Sequence, residues 1–157
     1  MSGQTLSPTL VLSCIIVLQA TAGSAQEQSI QKKDMPAAVL EVFQKSYPKA
    51  IIKGYSKEME RDNLTYEIES VEGKVHRDVT YSADGSLISV EESLPYSQLP
   101  EPVRTAIAKE YPKSKVSLCE RVMKGDARQF EVLIASGKQK YELVLSGDGT
   151  IVKTEKK

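Results

Sequence analysis

The chain has 157 residues, enough for one domain or two very small ones. Its 21 Lys and Arg balance 21 Asp and Glu, so it has no basic excess with which to neutralise a phosphate backbone, and a dedicated nucleic-acid binder is disfavoured. A hydrophobic fraction of 40% and a charged fraction of 27% fit a soluble globular chain, and two cysteines with one histidine leave almost no material for a zinc site, a haem or an iron–sulfur cluster, so no cofactor and no metal are expected.

Residues 1–25 read as a signal peptide. Leu10 to Leu18 is an uncharged apolar run, too short to span a bilayer but of the length of a signal-peptide core, and small residues follow at Ala20 to Ala25. Cleavage is expected after Ala25, with Ala22 as the next choice; the first nine residues lack the usual Lys or Arg. Val11-Leu12-Ser13-Cys14 faintly resembles a lipoprotein box, but the apolar run continues through Ile15 to Leu18, so Cys14 reads as part of the signal core. The expected location is the periplasm or outside the cell, with no membrane association once the signal is removed. The mature chain then keeps one thiol, Cys119, and can form no internal disulfide.

Residues 26–33 are a polar lead, expected to be mobile. Residues 34–92 form a first unit. Pro36 suits the first turn of a helix whose one face carries Val39, Val42, Phe43 and Tyr47, and Pro48 ends it. A strand near 50–58 alternates poorly, leaving its register undefined. Leu64, Tyr66 and Ile68 then alternate with Thr65, Glu67 and Glu69, and Val75, Arg77, Val79 and Tyr81 alternate with His76, Asp78 and Thr80: half-covered antiparallel strands. Gly73 and Asp84-Gly85 mark hairpin turns. Residues 93–98 are a linker.

Residues 99–157 repeat the first unit. Shifted by 64 positions, Met35 to Glu91 aligns with Leu99 to Glu155 without a gap, and 15 of the 57 pairs are identical, among them Pro36/Pro100, Tyr47/Tyr111, Pro48/Pro112, Glu67/Glu131, Gly73/Gly137 and Gly85/Gly149. Average residue usage would give roughly four. Val103, Ala106, Ile107 and Tyr111 make the second helical face; Phe130, Val132 and Ile134, then Tyr141, Leu143 and Leu145, make the second apolar strand faces. The predicted fold class is α+β: two tandem α-β-β-β-β repeats forming antiparallel sheet, with the helices packed on one face. A unit of about 60 residues buries little core alone, so the two sheets either join edge to edge or share one core.

One helix per four strands covers one sheet face and leaves the other open. The open face should carry Glu67, Glu69, His76 and Asp78 from the first unit and Glu131, Leu133, Lys140 and Glu142 from the second. This mix of charge and apolar surface, with Ala135 and Val144 beside it, suits a protein interface, and these eight residues are the candidate binding residues. Catalysis is not expected: Glu67 and Glu69 share a strand face, no histidine or nucleophile recurs beside them, and His76 is matched by Lys140 in the other unit. Ser82 to Ser86 reads as a hairpin turn, since it lacks the acidic ladder of a calcium loop. Cys119 is expected to pack as a small apolar residue, with a reactive or intermolecularly paired thiol as the alternative. The function that follows is an exported, non-enzymatic binding module with a protein partner. A small-molecule sensor or carrier of the envelope is the alternative, and would need a pocket between helices and sheet. Oligomeric state stays open.

The recurring Tyr-Pro-Lys-[Ala/Ser] after a helix, the [Tyr/Phe]-Glu-[Ile/Val] of a middle strand and the Ser-x-Asp-Gly-[Ser/Thr]-[Leu/Ile] turn resemble the PepSY-like family of exported bacterial domains, itself likened to β-lactamase inhibitory protein. The resemblance spans residues 34–156. It implies an antiparallel sheet with helices on one face and a non-enzymatic role, the better-known relatives restraining secreted hydrolases. This chain departs from the β-lactamase inhibitory proteins in lacking an internal disulfide, and no inhibitor contact residue is carried over.

Overall fold

The computed structural model describes residues 27–60 and 63–157. The expected signal peptide lies outside the described residues. Strand β1 (Gln28–Ser29) precedes helix α1 (Ala37–Ser46) and strands β2 (Ile51–Glu60), β3 (Asn63–Glu72), β4 (Val75–Ser82) and β5 (Leu87–Ser93); helix α2 (Glu101–Glu110) and strands β6 (Lys115–Lys124), β7 (Ala127–Ser136), β8 (Gln139–Ser146) and β9 (Ile151–Lys156) follow. All nine strands form one antiparallel sheet in sequence order. The two halves are joined edge to edge through β5 and β6, where Ser89 pairs with Lys124 and Ser93 with Glu120.

The polar lead is not a loose tail. Gln28 and Ser29 pair with Lys57 and Ser56, and the Ile30 amide donates to the Tyr55 carbonyl at 2.9 Å. Backbone pairing, which side-chain patterns do not report, holds this segment on the outer edge of β2.

The poor alternation of the first strand in each half has a local cause. The β2–β3 register shifts between Ile52 and Gly54, and the β6–β7 register shifts between Val116 and Leu118, 64 positions on. An extra residue at such a bulge breaks the period of two.

Two apolar cores lie on the same face of the sheet. The first joins Met35, Val39 and Phe43 to Ile68, Val79, Tyr81 and Val90; the second joins Leu99, Val103 and Ile107 to Cys119, Phe130, Val132, Ile134, Leu143 and Leu145. The register makes these strand residues cross-strand neighbours, as in Ile68↔Val79↔Val90 and Val132↔Leu143. Burying each such side chain contributes about 1.5–3 kcal/mol. Cys119 is 4% exposed inside the second core, and burial, then the Glu120 charge, pushes its thiol up to about 11, so it packs rather than reacts.

The Asp-Gly turns lock each helix to its sheet. Asp84 Oδ1 accepts from the Ser82 hydroxyl at 2.6 Å and the Ser86 amide at 3.0 Å, and Asp148 Oδ1 accepts from the Thr150 amide at 2.9 Å in the same way. Gly85 and Gly149 adopt φ of 86° and 89°, where a side chain is strained. A Cβ on Gly149 would lie 2.5 Å from the Pro102 carbonyl oxygen, and one on Gly85 3.1 Å from that of Ala38. Each turn tip therefore sits against the backbone of its helix.

Candidate functional site

The face away from the helices carries all eight predicted residues. They form two groups, on β3–β4 and on β7–β8, and β5 and β6 bridge them. Glu69 lies opposite Asp78, and Asp78 lies opposite Glu91 of β5, so three carboxylates make one cross-strand row. Glu67 stands one row away opposite Thr80. In the second half Leu133 lies opposite Glu142, Glu131 opposite Val144 and Ala135 opposite Lys140. His76 sits at the start of β4 opposite Val71, exposed, as is Lys140 at the matching position.

The central acids are not the exposed groups that the sequence pattern suggests. Glu67 and Asp78 are half-buried, while Glu91, Glu131 and Glu142 are 8%, 5% and 6% exposed. The physical reason is position: on inner strands each acid has a cross-strand neighbour on both sides, Glu91 between Asp78 and Val122, Glu131 between Glu120 and Val144, and Glu142 between Leu133 and Glu155. Glu142 is neutralised by the Lys157 ammonium at 3.0 Å.

Desolvation and mutual repulsion raise the proton affinity of the first group. Burial, then the charges of Asp78, Glu27, Glu58 and Glu69, pushes Glu67 up to about 7. Burial, then Glu69 and Glu27, pushes Asp78 up to about 6. Burial, then Glu131, Glu120, Glu67 and Asp78, pushes Glu91 up to about 9. The Asp78 Oδ1 is buried without a hydrogen-bond partner among the described residues. An unpaired carboxylate held out of water is stabilised by a proton or by an incoming cationic group.

Glu91 was not among the sequence-predicted residues, although it recurs as Glu155. The β4–β5 register shifts between Thr80 and Tyr81, so the polar run around Ser89 to Ser93 does not display its facing by alternation. Among the described residues no group of three His, Cys, Asp or Glu side chains has the geometry of a metal site, and no helix is long and apolar enough to cross a membrane.

Comparison with known proteins places this architecture. The profile of a family described as "Putative beta-lactamase-inhibitor-like, PepSY-like" matches residues 23–89 and 71–153. Among solved structures, one from Bacteroides eggerthii, described as that of a "putative periplasmic" protein, is similar with a TM-score of 0.68 at 16% identity, covering 78% of this chain and 88% of that one. A BLIP-like protein from Bacteroides fragilis is similar with a TM-score of 0.62 at 21% identity, covering 78% and 86%. No curated protein matches the chain.

Proposed function

The chain belongs to the PepSY-like family, and from that premise we propose that it is an exported, non-enzymatic module that binds a protein partner on the uncovered face of its sheet. It works in the periplasm or outside the cell; the signal-like segment at residues 10–25 and the description of the Bacteroides eggerthii structure support that location. The observation that carries the reading is the carboxylate row Glu69, Asp78 and Glu91, exposed at Glu69, half-buried at Asp78 and buried at Glu91, on a face that no helix covers. Glu67, Glu131, Leu133 and Glu142 extend the surface, with His76 and Lys140 at its margins. Charge complementarity favours a partner that presents Lys or Arg to this face. A secreted or periplasmic hydrolase is the partner class, in keeping with the inhibitor-like description of the family. The non-enzymatic part of the reading rests on composition: the chain has one histidine, and no histidine recurs beside the carboxylates in both halves.

Titrating purified exported hydrolases, β-lactamases among them, with the mature chain tests this. The expected result is saturable binding with loss of turnover for one of them, weakened about tenfold or more by the double substitution Glu67→Lys and Asp78→Lys. A hydrolase bound equally well by the charge-reversed variant refutes the face assignment. Turnover of a substrate by the chain itself, abolished in His76→Ala, refutes the non-enzymatic reading.

A further inference from the structure

On the opposite, helix-bearing face, beside the second core and over the junction of β5 and β6, lies a cavity of about 370 Å³, lined by Arg77, Glu92, Arg121 and Arg128, by the apolar side chains of Val75, Leu94, Pro100 and Phe130, and by Ser93 and Gln98. The register explains the juxtaposition. Arg77, Glu92, Arg121 and Phe130 are successive cross-strand partners on β4, β5, β6 and β7, and Arg128 stands on β7 one row over, opposite Met123.

Charge is not balanced there. Glu92 accepts from Arg77 Nε at 2.7 Å with one oxygen and from Arg121 Nη2 with the other. One carboxylate thus serves two guanidiniums, and Arg128 has no ion pair among the described residues. Glu72 adds a looser contact, 3.5 Å from Arg77 Nη1. Even with Glu72 included, three guanidiniums face two carboxylates. Arg77 is 8% exposed, with its guanidinium 4.2 Å above the Tyr47 ring, and Arg77 Nη1 and Arg121 Nε are buried with no hydrogen-bond partner among the described residues. Buried guanidinium N–H groups without acceptors are costly, and an oxyanion with lone pairs for a guanidinium fork would satisfy them.

The repeat makes the same point by its failure. At the positions 64 residues away, Arg77 is answered by Tyr141, Arg121 by Lys57, Arg128 by Leu64 and Glu92 by Lys156. Where Arg77 lies over Tyr47, Tyr141 packs its ring 5.6 Å from that of Tyr111. The fold therefore does not require an arginine at this place, yet Arg77, Arg121 and Arg128 gather at the seam.

We propose that the seam cavity binds a small amphiphilic anion, its carboxylate or phosphate head on Arg77, Arg121 and Arg128 and its apolar part against Leu94, Pro100 and Phe130. The volume falls in the range of small-ligand pockets. The site lies on the face opposite the carboxylate row and is independent of the partner-binding reading.

Titration of the mature chain with acetate, hexanoate, inorganic phosphate and hexyl phosphate, read by calorimetry and by the NMR signals of the arginine side chains, tests the assignment. The expected result is saturable binding of at least one hexyl compound, tighter than its tail-less counterpart, with shifts at Arg77 and Arg121. Preference between the two hexyl compounds identifies the head group. Arg128→Glu, at an exposed position that folding does not need, should weaken binding at least about tenfold, and Arg121→Gln should do the same. Absence of saturable binding by all four anions overturns the proposal, and so does equal affinity in Arg128→Glu. Equal affinity for the hexyl and tail-less anions overturns the apolar part.

Discussion

Replacing Glu91 by glutamine should change how stability depends on pH more than any other single substitution on the open face. The carboxyl group is 8% exposed, lies opposite Asp78 of the adjacent β4, and feels Glu131, Glu120 and Glu67 as further negative charges; the folded chain holds its proton up to about pH 9, where an unfolded chain releases it near 4.5. The folded state therefore binds more protons than the unfolded one throughout that window. Stability associated with this group is fully present below about 4.5 and is lost as pH rises towards 9. One proton of difference corresponds to about 1.4 kcal/mol per pH unit. Glu67 and Asp78 act in the same direction, but their window closes at about 7 and 6. Between pH 7.0 and 8.5 Glu91 is the main contributor, and the wild type should lose about 2 kcal/mol across that interval. Glutamine keeps the shape, cannot ionise and should hold stability nearly constant over the same range. Urea unfolding followed by circular dichroism at pH 7.0, 7.75 and 8.5 measures both slopes. Equal slopes in the two proteins, or a wild type that gains stability from pH 7.0 to 8.5, would refute the argument that burial and neighbouring acids keep Glu91 protonated.

Other expectations follow from the same structure. A fragment ending at Glu92 removes the β5–β6 pairing and leaves an uncovered sheet edge over half the core, so it should aggregate or unfold well below the full chain in thermal melts; a fragment as stable as the intact protein would show that the halves are independent. Phe43→Ala should cost about 3–5 kcal/mol in chemical denaturation, because the ring is 1% exposed between α1 and the sheet. Gly149→Ala should cost about 2 kcal/mol or more in the same assay, since the added Cβ meets the Pro102 carbonyl in a backbone conformation alanine disfavours. Binding of a cationic partner to the open face should weaken as pH falls from 7.5 to 5.5, because Asp78 and Glu67 take up protons in that range; affinity that is unchanged or stronger at pH 5.5 would count against the acidic row as the contact.

Much of the architecture was legible in the residues themselves, and the reason is local. Alternation in Leu64 to Tyr81 and in Phe130 to Leu145 assigns each strand residue to a face, because side chains on a pleated strand point alternately up and down. Helix period, flanking prolines and Asp-Gly turns act within a few positions of one another, so a sequence displays them directly. The 64-residue repeat then carries each assignment from one half to the other. What escaped was whatever depends on neighbours distant in the chain. Bulges at Ile52/Gly54 and Val116/Leu118 hid the facing of β2 and β6, and the shift at Thr80/Tyr81 hid that of β5 and with it Glu91. The lead joined the sheet through backbone pairing of Gln28 and Ser29, to which side-chain pattern is blind. Expected exposure of Glu131 and Glu142 became burial because sheet neighbours, rather than helices, screen them. The choice between a shared core and an edge-to-edge junction was open in the sequence, since apolar spacing alone is satisfied by either. The tertiary structure decided it by pairing β5 with β6, and that one junction draws Arg77, Glu92 and Arg121 into a row across three strands, from positions up to 44 residues apart.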